Sequence, residues 1–275
     1  MVIYICIVFV VNQYYICIVF TYLTNWIIMG KLKGIIQFTG SFDGLSFYES
    51  GGKIIVRKTG GFDGKKIKTQ PEYARVRENG AEFGHVAKVC KNFRQGLKAD
   101  LSAMGIEKVH NRLVSLFHDI MQLDMVSKRG KRTVANGLQS PTAIALLEAF
   151  ELHPTEAFSR HFPYSISVDL TEGILTVPHF APNLLSVPVG TTHLFLQFWI
   201  AGMDSELKEF SKVQYSEALS ILLTPSGTSI PLTLSCAVPE APLLFYGLKL
   251  NYVQETNGTF HPLFGTKMKI LGFRL

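Results

Sequence analysis

The sequence predicts an α+β protein, in which a small N-terminal antiparallel sheet with a helical hairpin is followed by an antiparallel β-sandwich. Three observations support this class: strand-like runs between glycine turns from Gly34 to Arg57, apolar residues at helical spacing from Pro71 to Met125, and alternation of apolar and polar residues after Phe162. With 275 residues, of which 47% are hydrophobic, the chain can bury one large core or two modest ones.

The N-terminal sheet is predicted from three short runs, at residues 34–38, 45–49 and 53–57. The loops between these runs contain Asp43-Gly44 and Gly51-Gly52, which tolerate the positive φ angles that tight hairpin turns require. The sequence therefore predicts a three-stranded antiparallel meander.

Two longer helices are predicted over residues 71–98 and 106–125, with Thr69 as the N-cap of the first and Pro71 in its first turn. A third, short helix is predicted over residues 141–152, with Ser140 as its cap. The apolar faces of the two longer helices consist of Val76, Phe83, Val86, Cys90, Phe93 and Leu97 in the first, and Ile106, Val109, Leu113, Leu116, Ile120 and Leu123 in the second. The second set forms a seam for the first helix or for another copy of the chain.

The C-terminal part is predicted to consist of strands at residues 164–168, 173–177, 193–200, 218–223, 230–236, 243–253 and 268–273. Strands of this length and spacing, interrupted by Pro and Gly, are typical of an antiparallel β-sandwich. We therefore predict one domain over residues 29–153, a basic β-meander with helices, and a β-sandwich domain over residues 162–275.

Residues 1–28 contain no charged side chain and are apolar enough for a transmembrane helix. However, residues 4–9 recur unchanged as residues 15–20, which favours a translated non-coding repeat upstream of a true start at Met29. We therefore expect a cytoplasmic protein. The alternative is an inner-membrane protein with its C-terminal part in the cytoplasm, because Lys31 and Lys33 follow the apolar segment. A membrane is an expected partner only if residues 1–28 are retained.

Several segments after Met29 resemble the opening of a family of uncharacterised bacterial proteins. These segments are Lys33-Gly34 and residues 45–48, 57–61 and 77–84. In that family a short basic β region, helices and a β-rich C-terminal half follow one another. The resemblance covers residues 29–275 and implies this architecture and a start at Met29, but no activity.

Motifs for catalysis and for cofactor or metal binding fall short of the required patterns. Residues 60–66 are one residue short of a phosphate-binding loop and lack its hydroxyl group. His153, His161 and Glu156 lack a clear further ligand for a metal, and Cys90 and Cys236 are predicted to be buried apolar thiols. The sequence therefore predicts no catalytic residue, no cofactor and no metal site, and a protein that is not an enzyme.

Basic residues are concentrated in the first half of the chain. Residues 31–132 contain 20 Lys and Arg against 10 Asp and Glu, whereas residues 133–275 contain 7 against 11. Such a region can bind a polyanion or remain a solvated surface. The candidate polyanion-binding residues are Lys65, Lys66, Lys68, Arg77, Lys88, Lys91, Arg94, Lys98, Lys128, Arg129, Lys131 and Arg132. The interleaved aromatic residues Phe42, Phe47, Tyr48, Phe62 and Tyr73 would stack on single strands or pack beneath a small sheet.

The predicted function is that of a non-enzymatic structural or interaction protein that self-associates or binds a protein partner. The seam of the second helix and the sandwich, an architecture that often serves recognition, favour this function. The first alternative is a nucleic-acid-binding protein that uses the basic region of residues 53–132. The second is a membrane-anchored protein, which depends on residues 1–28.

Overall fold

The computed structural model describes residues 6–11, 14–19, 29–31, 39–59, 64–106, 109–153, 156–223 and 229–275. The predicted α+β class is confirmed, since an antiparallel N-terminal sheet, a set of helices and two packed antiparallel sheets follow one another along the chain. The chain divides into two compact units, Met1–Ile67 and Lys68–Leu275. The domain boundary predicted between residues 153 and 162 lies inside the second unit.

The first unit contains two antiparallel sheets. One sheet pairs β1 (Cys6–Val11) with β2 (Tyr14–Val19). The other has the strand order β3-β6-β5-β4, with β3 at Met29–Lys31, β4 at Gly40–Phe42, β5 at Leu45–Ser50 and β6 at Lys53–Lys58. The predicted strands at residues 45–49 and 53–57 are confirmed, while the one at residues 34–38 lies outside the described residues.

Both predicted hairpin turns of this sheet form where the glycines stand. Asp43 and Gly44 join β4 to β5 with φ angles of 45° and 73°, and Gly51 and Gly52 join β5 to β6 with 59° and 70°. Two successive positive φ angles match the right-handed twist of the flanking strands. Local sequence chemistry is therefore sufficient to specify these turns.

The alternative interpretation of residues 1–28, a transmembrane helix, does not hold at the described residues of this segment, because β1 and β2 are strands. Their Ile, Val, Tyr and Phe side chains have high β propensity, and this favours an extended backbone as much as hydropathy favours a helix. Over the described residues, no helix combines the length and the apolar character that crossing a membrane requires.

The second unit begins with helices. Their bounds are α1 at Gly64–Thr69, which crosses from the first unit, then α2 at Ala74–Gly96, α3 at Lys98–Ala103, α4 at Val109–Gln122, α5 at Val134–Gly137, α6 at Pro141–Ala149 and α7 at Phe158–His161. A 3₁₀ turn at Pro71–Tyr73 precedes α2. The predicted N-cap at Thr69 is wrong, since Thr69 lies in α1 and Gln70 precedes the turn. Ser140 does precede α6, but its side chain makes no capping hydrogen bond.

The strands of the second unit form two sheets. A three-stranded sheet has the order β12-β8-β7, and in a six-stranded sheet the long strands β9 and β13 pair centrally, with β10 and β11 beside β9 and with β14 and β15 beside β13. The bounds are β7 at Ser167–Asp169, β8 at Ile174–Phe180, β9 at His193–Met203, β10 at Gln214–Tyr215, β11 at Leu219–Leu222, β12 at Ile230–Ser235, β13 at Leu243–Thr256, β14 at Thr259–Pro262 and β15 at Lys267–Arg274.

Three layers result within this unit, because the six-stranded sheet is covered on both faces. Along β9, Leu196 and Phe198 point into the core between the two sheets. Trp199 and Ala201 point into a second core, which the sheet shares with α2 and α4. The seam predicted on the second helix lies in this second core, so the protein's own sheet and helices cover it.

Candidate polyanion-binding surface

Helix α2 carries the candidate surface on the side opposite its core contacts. Val86, Cys90 and Phe93 are buried, while Lys88 and Lys91 are exposed, because the helical period of 3.6 residues separates the two sets. Lys98, the first residue of α3, is also exposed. Among the described residues, no carboxylate oxygen lies within salt-bridge distance of these three ammonium groups. We refer to Lys88, Lys91 and Lys98 as the basic face.

The structure brings a second basic segment against α2 from a distant part of the sequence. Arg129 Nη2 donates to Asn79 Oδ1 at 2.8 Å. Arg132 forms a bidentate pair with Glu82, at 2.7 and 2.8 Å, and this carboxylate is only 4% exposed. The hydrogen bonds from Arg132 outweigh burial and lower the pKa of Glu82, so the pair is ionised at neutral pH.

Two of the predicted polyanion contacts are therefore engaged within the protein. Arg132 neutralises Glu82, and Arg129 lies 3.7 Å from a carboxylate oxygen of Glu78. Lys128 and Lys131, on either side of them, are exposed. The two arginines fix the loop to α2 and leave the two lysines as its available cations.

Asp124 fixes the fold of this basic loop. It is 3% exposed and accepts hydrogen bonds from the backbone N–H groups of Val126, Ser127 and Thr133 and from the side chain of Asn136. Burial raises the pKa of its carboxyl group, but these donors together exceed that effect and lower the pKa to about 2. The loop therefore closes around a carboxylate that stays ionised into acid.

The far end of the loop is fixed by a histidine of α2. His85 Nε2 accepts a hydrogen bond from the backbone N–H of Val134 at 3.1 Å. Burial, followed by the charge of Lys88, lowers the pKa of His85. The ring is thus kept in the neutral form that can accept this bond.

We expect Asp124→Asn to lower the free energy of unfolding by about 1–3 kcal/mol, because an amide NH₂ would face backbone donors that then lack an acceptor. The wild-type protein should lose this contribution as pH falls from the ordinary value of 3.8 towards about 2. In that window the unfolded chain binds a proton that the folded chain does not. Urea unfolding at pH 7, 4 and 3 measures both effects. Equal losses of stability in wild type and variant between pH 4 and pH 3 would contradict this role of Asp124.

The remaining predicted contacts belong to other segments of the chain or are partly engaged. Lys65 and Lys66 are exposed on α1 within the first unit, and Lys68 is exposed at the start of the second. Arg77 Nη1 donates to the Gln70 carbonyl at 2.8 Å. Arg94 is half-buried, and its Nε has no hydrogen-bond partner in the described part of the chain. Of the twelve candidates, Lys88, Lys91, Lys98, Lys128 and Lys131 are exposed on α2, α3 or the loop against α2, whereas Arg129, which is exposed in the same loop, is paired with Glu78.

Apolar side chains of α2 also reach the surface beside these lysines. Val76 and Phe83, predicted to lie on the buried face, are 42% and 57% exposed. Gly80 and Gly84 face open space, since no described atom lies within 4 Å of where a Cβ would be. The core under α2 begins only at Val86, where α4 and the six-stranded sheet supply partners.

Two of the residues considered for a metal, His161 and Glu156, are part of a hydrogen-bonded network. Glu156 accepts from Lys267 and contacts His161 Nε2 at 3.2 Å, while His161 Nδ1 lies 3.0 Å from the hydroxyl of Tyr252. The hydrogen bond from Lys267 lowers the pKa of Glu156, and burial, with the charge of Glu156, raises the pKa of Tyr252 to about 12. Within the described ranges, no three His, Cys, Asp or Glu side chains converge as metal ligands. The network ties α7 to β13 and β15.

Cys90 and Cys236 are buried, free thiols, as the sequence predicted. Burial raises the pKa of Cys90 to about 12, so this thiol is not a reactive nucleophile near neutral pH.

Comparison of the chain with models of known protein families, with characterised proteins and with solved structures found no match. The resemblance to a bacterial family therefore rests on the segments named above.

The sequence did not identify the groups that position the basic loop or those that border the basic face. Glu78 and Glu82, which bind Arg129 and Arg132, precede the loop by about fifty residues. Their spacing of four residues places both on one side of α2 and could have indicated an acidic site for a basic segment. Gln95, Gly96 and Phe210 form a groove next to Lys91 and Lys98, and no local pattern connects Phe210 with α2.

Proposed function

We propose that this protein is a non-enzymatic interaction protein that binds the phosphate backbone of a nucleic acid through the basic face. The observation that carries this proposal is the exposure of Lys88 and Lys91 on α2 and of Lys98 at the start of α3, without a carboxylate partner in the described part of the chain. Unpaired lysines at this density maintain a positive potential that attracts phosphates and displaces their counterions.

The dimensions of the basic face fit a nucleic-acid strand. From Lys88 to its last residue, Gly96, α2 rises by about 12 Å, and Lys98 follows two residues later at the start of α3. A strand of B-form DNA carries one phosphate per about 3.4 Å of axis, so this length matches about four phosphates. Gly80 and Gly84 extend the same side of α2 without protruding side chains, which lets a backbone approach closely. Lys128 and Lys131, beside the first half of α2, add further positive charge.

Self-association, the function favoured by the sequence, has less support once the fold is known. The α4 seam that suggested it is buried in the protein's own core. Val76 and Phe83 are exposed apolar residues on α2, and such residues favour a protein partner. If they are a self-association surface, sedimentation should show a stable oligomer at micromolar concentration that Phe83→Ala converts to a monomer.

Salt titration of binding to fluorescently labelled oligonucleotides tests the proposal. We expect the logarithm of the association constant to fall linearly with the logarithm of salt concentration between about 50 and 200 mM, with a slope of about −2 to −4 for three to five phosphate contacts. Vesicles with anionic lipids provide the comparison polyanion. Absence of binding to the oligonucleotide at the lowest salt would contradict the proposal, as would binding to the vesicles alone.

A further inference from the structure

A surface groove of about 240 Å³ lies at the C-terminal end of α2. Its lining residues are Asn92, Gln95, Gly96, Lys208 and Phe210. Gln95 is exposed and stands between Lys91 and Lys98 in the sequence. The groove therefore opens beside the basic face, and a strand bound to the lysines passes its entrance.

One wall of the groove is a turn that is firmly attached to α2. Asn92 Nδ2 donates to the carbonyls of Leu207 and Lys208, at 3.2 and 2.7 Å. Asp204 Oδ1 accepts from the backbone N–H groups of Lys208 and Glu209, at 2.6 and 2.8 Å. Leu207 is buried and has a φ of 58°, a conformation that these contacts hold in place. The wall is formed before any ligand arrives.

An aromatic ring forms the floor of the groove. A Cβ at Gly96 would lie 1.9 Å from Cδ1 of Phe210, so the ring rests directly on the glycine backbone. On another side Phe210 packs edge-on against buried Phe93, with ring centroids 5.6 Å apart. The ring remains partly exposed toward the groove. A rigid, half-exposed aromatic side chain is the type of group on which a nucleobase packs.

We propose that this groove accepts an unpaired nucleobase and that the nucleic acid bound by the basic face is single-stranded. This inference rests on the proposed function, because the lysines must hold the phosphates. The groove is smaller than the pockets of about 300–1,000 Å³ that take drug-sized ligands, and this favours one planar base. The amide of Gln95 offers both a donor and an acceptor to a base edge.

The charges around the groove favour a base over a phosphate inside it. Lys208 is paired with Glu206, and the side chain of Asp204 is committed to the turn. Glu209 on the same turn is exposed and negative, so a phosphate would be repelled there. A strand is therefore oriented with its phosphates on α2 and one base directed toward the turn.

The test compares an oligothymidylate of about 12 nucleotides with an abasic oligomer of equal phosphate number and with a duplex. We expect the oligothymidylate to bind about 5- to 150-fold more tightly than the abasic oligomer, the range that stacking of one base provides. Phe210→Leu should bring the ratio of the two affinities close to one and leave the affinity for the abasic oligomer unchanged. Phe210→Tyr retains the ring and should retain the ratio.

Each other outcome is decisive. Equal affinity for the two oligomers would overturn the groove assignment and leave the proposed function in place. Tighter binding of the duplex, or an unchanged ratio in Phe210→Leu, would also overturn it. If none of the three probes binds at low salt, the proposed function itself fails. Because the ratio is measured on one protein sample, partial unfolding of a variant lowers both affinities and does not imitate the expected result.

Discussion

Replacing Lys88, Lys91 and Lys98 together by Glu is expected to weaken oligonucleotide binding at least about 100-fold at low salt. Each substitution removes one phosphate contact and adds a repulsive charge. The slope of log affinity against log salt should become less negative by about two to three, since each lost contact reduces it by about one. All three side chains are exposed, so the free energy of unfolding should change by no more than about 0.5 kcal/mol.

A matched variant separates the basic face from net charge. Arg160, Lys212 and Arg274 are exposed in the same unit, and they lie outside α2, α3 and the basic loop. Their triple replacement by Glu changes the net charge by the same amount and should reduce affinity far less. Equal losses in the two triple variants would show that the protein binds by overall charge alone, which contradicts a specific surface on α2.

Phe93→Ala is expected to lower the free energy of unfolding by about 3–5 kcal/mol, the range for deleting a large aromatic side chain from a core. Phe93 is fully buried, and its ring packs edge-on against Phe117 of α4, Phe210 beside β10 and Phe245 of β13. The substitution leaves a cavity where the helices, the sheet and the groove floor meet. Urea unfolding monitored by circular dichroism measures the effect as a lower midpoint.

The same helix provides the control for this prediction. Phe83 is 57% exposed, so Phe83→Ala should change stability by no more than about 0.5 kcal/mol. Because Ala is a better helix former than Phe, helix propensity cannot account for a loss at either position, and equal losses at Phe83 and Phe93 would contradict the role given to the packing of Phe93. A cost below about 1 kcal/mol for Phe93→Ala would mean that the surrounding side chains collapse into the space.

Local chemistry in the sequence determined the turns and most of the strands. Asp43-Gly44 and Asn257-Gly258 form turns with positive φ where the sequence places them, because this requirement concerns only the residues in the turn. The strands of the sandwich were also predictable, because alternation of apolar and polar residues is a property of a single strand facing a core. Asn257-Gly258 joins β13 to β14, a short strand that is not among those predicted from the sequence.

The tertiary structure alone decided which surfaces remain available. The seams of α2 and α4 could have faced each other, another copy or a sheet, and the sequence does not say which. The sequence of β9 did indicate a strand covered on both faces, because the alternation of apolar and polar residues stops at residue 198. Residues 198–203 are all buried in the structure. Val76 and Phe83 are exposed on a face of α2 that is buried from Val86 onward, because the partners of α2 begin only there.

In the candidate site, too, local sequence determined some features and tertiary packing determined the others. The positions of Lys88 and Lys91 on one side of α2 followed from helical geometry, whereas Lys98 belongs to α3. The capture of Arg129 and Arg132 by Glu78 and Glu82, and the meeting of Phe210 with Gly96, join residues far apart in the chain. Such contacts depend on how whole elements pack, and one sequence carries no local pattern for them. The sequence thus determined where positive charge occurs, and the tertiary structure decided which of those charges remain unpaired and what lies beside them.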